Sequence, residues 1–227
     1  MNKLKILIFL ILLLYSNKSF ALIEVDITRG NLKPLPIAVS PLFQDSKSKK
    51  NFKKELNIED LGSEISKVIE NNLKTSGLFN PLSKDAFLQK PDIAHLKPRF
   101  EDWALIKSQA LITGKVLIEK EKLKVEFRLW DVLAGREMLA LAFTTVPSNW
   151  RRVGHIITDK VYERLTGEKG YFDTRIIYVS EEGPKTQRIK KLAIMDQDGF
   201  NTKYLTLGNE LVLTPRFNPT NQMVTYL

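Results

Sequence analysis

Cysteine is absent from the 227 residues, which removes disulfide scaffolds, thiol nucleophiles and cysteine-based zinc sites together. Histidine is nearly as scarce, with two residues, so a triad or a multi-histidine metal centre has little to draw on. The chain carries no Gly-x-Ser-x-Gly elbow, no phosphate-binding glycine loop and no dinucleotide fingerprint. Apolar runs of spanning length are missing too: after the first 21 residues nothing approaches the roughly 20 apolar residues that cross a bilayer. Lys and Arg are interspersed with acids rather than massed on one periodic face, and no basic strand carries the interleaved aromatics of RNA-binding sheets. These absences predict no enzyme, no cofactor, no small-molecule substrate and no nucleic acid.

What is present begins with an export signal. Lys3 and Lys5 precede an unbroken apolar run from Ile6 to Leu14, and Ser19 and Ala21 place small residues at the −3 and −1 positions of a cut between Ala21 and Leu22. Residues 1–21 therefore read as a cleavable signal peptide. The formal charge of +9 overstates the mature chain, because three of the 35 basic residues lie in this leader, leaving 32 against 26 acids and an excess of six. With no disulfide available, an exported chain of this size must be held by a hydrophobic core.

The segment that cleavage would free alternates apolar Ile23, Val25 and Ile27 with polar Glu24, Asp26 and Thr28, the period of a half-buried strand. Arg29-Gly30-Asn31 ends it as a swivel. Such a strand suits either a permanent place at a sheet edge or pairing with a partner by strand addition. Beyond it, Ile37–Val39 predicts a short central strand, and the lysine-rich stretch from Gln44 to Lys54 predicts a surface loop. Ile58, Leu61, Ile65, Val68, Ile69 and Leu73 recur at helical spacing, capped by Asn57 or Asp60 and stopped by Gly77. A short strand around Pro81 and a weaker helix over about 102–108 follow, with Trp103 and Ile106 facing in.

Strands over 110–120, 123–131 and 137–146 form a meander, and a helix capped by Asn149 runs to Leu165 before Thr166-Gly167. After Gly170 the helical period vanishes. Short strands over 175–180, 190–196, 203–206, 212–217 and 223–227 alternate with turn residues, the pattern of a β-sandwich, barrel or propeller. The expected organisation is thus a partner-binding segment over 22–34, an α/β domain over 35–170 and an all-β part over 171–227.

Two clusters invite a chemical reading. Asp196-Gln197-Asp198-Gly199-Phe200-Asn201 resembles a calcium loop, but the positions that need Asp, Gly and Glu hold Phe200, Asn201 and Leu207. An Asp-Gly between two strands is instead a tight-turn signal. His155 could meet Asp159 four residues on, yet its apolar neighbours Ile156 and Ile157 favour a half-buried structural role. Trp103, Trp130 and Trp150 lie on separate elements and read as core or rim.

The run from Leu165 to Ser180, LTGEKGYFDTRIIYVS, closely resembles the linker and first propeller strand of the TolB family, the periplasmic component of the Tol-Pal cell-envelope system. Met195-Asp-Gln-Asp-Gly-Phe-Asn201 and Leu213-Thr-Pro-Arg-Phe-Asn-Pro219 are similar to its turn and inter-blade motifs, and Ser76–Pro81 and the Asn149-Trp-Arg-Arg helix start agree with it. The resemblance implies an α/β (α+β) domain like an anticodon-binding fold, followed by a six-bladed β-propeller. It also implies a non-enzymatic, monomeric adaptor that takes part in envelope integrity and cell division. Such an adaptor binds the lipoprotein Pal through the propeller and TolA through the mature N-terminal segment, here Leu22, Ile23, Glu24, Val25, Asp26, Ile27 and Thr28. Residues 171–227 supply one blade of about 40–45 residues and the start of a second, so an incomplete propeller is expected. The rival reading is a secreted propeller-containing hydrolase whose catalytic module is missing.

Overall fold

The computed structural model describes residues 33–119, 121–221 and 223–227. The predicted signal peptide and the predicted strand over 22–28 lie outside the described residues. Among those described, no helix is long and apolar enough to cross a membrane.

A mixed sheet organises the first part. Strand β1 (Leu35–Val39) lies between β3 (Phe79–Pro81) and β4 (Ala110–Glu119), parallel to both, and β4 continues the sheet through antiparallel β5 (Lys122–Asp131) and β6 (Arg136–Thr145). The two-residue strand β2 (Phe43–Gln44) pairs alongside the far end of β4. Period-two side-chain alternation divides the apolar residues between the two faces. Ile37, Val39, Ala110, Ile112, Leu123, Val125, Phe127 and Leu129 build the larger core, while the intervening Ala38 and Leu111 join a smaller one on the opposite face.

Helix α1 (Ser46–Leu56), α2 (Leu61–Thr75) and the short α3 (Pro91–Ala94) and α4 (Phe100–Leu105) precede the meander, and α5 (Trp150–Thr166) follows it. The stripe Leu61, Ile65, Ile69, Leu73 of α2 and Val153, Ile157, Val161, Leu165 of α5 close the larger core. Trp103 of α4, hydrogen-bonded through Nε1 to Gln89 Oε1 at 3.0 Å, fills the smaller one.

Five expectations are corrected or narrowed. The stretch from Gln44 to Lys54 is not a loop: Gln44 ends β2, and Ser46 to Lys54 lies in α1. Its lysines mask a helix capped by Asp45, which accepts from the Ser48 N–H at 2.6 Å, and anchored by the fully buried Phe52. Asn57 does not start α2; it ends α1 in the left-handed region at φ 57°, and Asp60 is the cap of α2. The helix expected over 102–108 begins two residues earlier, at Phe100. Asn149 occupies the N-cap position of α5, but a 3-10 turn over Pro147–Asn149 leads into the helix and the Asn149 amide donates to Thr145 Oγ1 instead. The last three predicted strands are shorter than expected, pairing only over Lys203–Tyr204, Arg216–Phe217 and Val224–Thr225.

The all-β part consists of an antiparallel three-stranded sheet, β7 (Arg175–Glu182), β8 (Ile189–Asp196) and β9 (Lys203–Tyr204), and a small pair of β10 (Arg216–Phe217) with β11 (Val224–Thr225). Among the described residues these strands close neither a barrel nor a propeller.

Candidate functional site at the junction of the two sheets

The turn between β8 and β9 is built as the Asp-Gly signal predicts. Asp196 N–H donates to Phe200 O, Gly199 N–H donates to Asp196 O, and Gly199 adopts φ +86°, a conformation that glycine reaches without a steric penalty. What the sequence does not disclose is where this turn sits. It packs on α5 and the C-terminal half of α2, and its polar side chains enter a buried network.

Asn72 of α2 is the node. Fully buried, its Nδ2 donates to His155 Nδ1 at 2.9 Å and to Thr158 Oγ1 at 3.2 Å, while its Oδ1 accepts from Gln197 Nε2 at 3.0 Å. One side chain thereby ties α2, α5 and the turn together. Arg151 of α5 reaches the same turn: its guanidinium pairs with the buried carboxylate of Asp198 and lies over the Phe200 ring, 4.0 Å from the centroid. One position on, Arg152 holds Asp173 in a two-pronged pair at 3.0 to 3.2 Å.

The linker is fixed to α5 by separate means. Asp159 accepts from the N–H of Phe172 at 2.6 Å and of Asp173 at 3.1 Å. Gly170 passes so close to Asp159 that a Cβ would overlap its backbone. Phe172 inserts into the larger core beside Tyr162.

His155 is 2 % exposed. With Asn72 donating to Nδ1, the neutral ring carries its proton on Nε2, which lies 3.7 Å from Asp198 Oδ2 and 4.0 Å from Asp196 Oδ2 and makes no hydrogen bond. Burial pushes the imidazole below its ordinary pKa, and the two carboxylates offset this only in part. Burial likewise raises the Asp159 carboxyl, against the two backbone N–H groups that favour its ionised form. A cavity of about 220 Å³ lined by His155, Asp196, Arg151 and Asp173 opens at this place.

The predicted His155–Asp159 pairing is not formed, because Asp159 turns to the linker and His155 to Asn72 and the turn. The histidine expected to be half-buried is fully buried. Asn72, Arg151 and Gln197 escaped sequence reasoning, since their partners lie 47 to 125 residues away and no local pattern marks them. The segment from Leu22 to Thr28 and the Ala21–Leu22 cut lie outside the described residues. The arrangement is a polar clamp that ties the turn to α2 and α5.

Comparison with known proteins agrees with this two-part design. The family model for the TolB amino-terminal domain matches residues 23–138, and that for the TolB β-propeller domain matches residues 162–227. The chain is 81 % identical over 220 residues to the Tol-Pal system protein TolB of Pelagibacter ubique (strain HTCC1062), an alignment that spans 97 % of this chain and 49 % of that protein. In fold it is similar to the crystal structure of TolB from Acinetobacter baumannii, with a TM-score of 0.69 and 24 % identity over 86 % of this chain and 44 % of that one. The chain thus spans about half the length of the curated relative it matches.

Proposed function

This chain belongs to the TolB family, and from that premise we propose that it is a Tol-Pal system component that acts by protein–protein contact in the periplasm and not by catalysis. Its α/β domain over 35–170 presents the segment Leu22–Thr28 to TolA. The propeller part that begins at 171 belongs to the Pal-binding side. The observation that supports the reading best is the 81 % identity to a Tol-Pal protein, sustained across both kinds of domain.

Both histidines are engaged in packing or polar contacts: His95 stacks on Phe43 at 4.3 Å and His155 is held in the clamp. The alternating pattern of Ile23, Val25 and Ile27 supports strand addition as the mode of TolA capture.

The test is capture of TolA by the chain with and without residues 22–28. Deletion is expected to abolish capture and to leave the melting of the rest nearly unchanged, and undiminished capture would refute the assignment of this segment.

A further inference from the structure

We propose that His155, Asp196 and Asp198 form a binding site for a divalent first-row transition ion, of which zinc fits the donor set best. One potential ligand atom from each residue lies within 4.8 Å of the other two. An imidazole nitrogen and two carboxylate oxygens are the mixed N/O set that zinc accepts, with a fourth position left for water, whereas calcium asks for six to eight oxygens. Tetrahedral ligands at about 2.0 Å from zinc stand roughly 3.3 Å apart, so the 3.7 Å and 4.0 Å separations from Nε2 need to contract by only about half an ångström.

The observation that points to a ligand is Nε2 itself. It belongs to a side chain buried to 98 %, is aimed between the two carboxylates, and has no hydrogen-bond partner. A buried polar atom left unsatisfied is costly, and a bound cation would remove that cost.

The surroundings supply the outer shell that such ions require. Asn201 Nδ2 donates to Asp196 Oδ2, the Phe200 N–H donates to Asp198 Oδ1, and Asn72 stands on His155 Nδ1. For Nε2 to bind a cation its proton moves to Nδ1, and Asn72 must offer its carbonyl oxygen there. Turning the Asn72 and Gln197 amides together exchanges every donor with its acceptor and preserves their mutual hydrogen bond, and the Thr158 hydroxyl rotates to donate to the turned Asn72 oxygen.

Arg151 now neutralises Asp198, and its rings offer it somewhere to go. Resting 4.0 Å from the Phe200 centroid and 5.5 Å from that of Trp150, the guanidinium keeps its cation–π contacts when the carboxylate turns to an ion. The solvent route is the cavity lined by His155 and Asp196. This site is independent of the TolA and Pal assignments.

Zinc chloride titrated into the metal-stripped chain, followed by calorimetry and by the visible absorption of cobalt as a substitute, tests the proposal. One equivalent is expected to bind saturably. His155→Gln and Asp196→Asn are each expected to weaken binding by about tenfold or more. Asp196 lies at the cavity mouth and its asparagine still accepts from Asn201, so that variant keeps the test valid if the histidine variant fails to fold. A wild-type chain that takes up no zinc, or equal affinity in wild type and the folded variants, overturns the proposal.

Discussion

At the scale of single residues, the close approach of α2 and α5 rests on Gly154. A Cβ there would stand 2.9 Å from Val68 Cγ1 and 3.1 Å from Val68 Cβ, inside contact distance with a branched, stiff side chain. Gly154→Ala gains about 0.5–1 kcal/mol of helix propensity but overpacks the interface at about 1–3 kcal/mol, so a net loss of up to about 2.5 kcal/mol is expected in denaturant melts. In a Val68→Ala background the same change should cost much less, and strict additivity of the two changes would show that the clash is not the cause. The cap of α1 gives a second case. The backbone N–H and hydroxyl of Ser48 hold the Asp45 carboxyl below its ordinary pKa of 3.8. The sign follows: the native state prefers the ionised form, so this contribution is complete above about pH 4 and fades as pH falls through the lowered value. Asp45→Ala should cost about 0.5–2 kcal/mol at neutral pH. Asp45→Asn should cost less and lose less stability than wild type on acidification below about pH 4.

At the scale of elements, what the sequence discloses tracks how strongly an apolar period is enforced. Strands β4 and β5 and the helices α2 and α5 were readable because one face of each is almost wholly buried, as in Leu123, Val125, Phe127 and Leu129 of β5, whereas β6 buries no residue. Helix α1 hid because it buries Ser48 and Phe52 alone and relies on its caps, Asp45 and Asn57, rather than on a stripe. The clamp was illegible for another reason: Asn72, His155 and Gln197 carry no period, and only the folded chain brings them together. The linker shows how a segment without secondary structure is held. Phe172 is 1 % exposed within the larger core, and its N–H is held by Asp159. Phe172→Ala should cost about 3–5 kcal/mol, as for other large-to-small core changes. A loss under about 1 kcal/mol would mean that the linker is not anchored through this ring.

At the scale of the molecule, the question is whether the α/β layers and the β7–β8–β9 sheet unfold together. The three-stranded sheet is thin: of its strand residues only Leu192 and Ala193 are buried, and a short three-stranded sheet with so small an apolar face is marginal by itself. Its stability must therefore be borrowed through the junction, from the Asn72–Gln197 bond, the Arg151–Asp198 and Arg152–Asp173 pairs and the buried Phe172. Native-state hydrogen exchange reads this directly. In the wild-type chain the β7–β8 amides, such as that of Ile194, should open only with a large part of the molecule. Gln197→Ala, which leaves Asn72 able to serve His155 and Thr158 but cuts its bond to the turn, should lower β7–β8 protection while the β4–β5 amides keep theirs. Equal loss in both sheets would mean that they open as one cooperative unit. Unchanged exchange in β7–β8 would mean that the ion pairs and Phe172 suffice to hold the sheet without it.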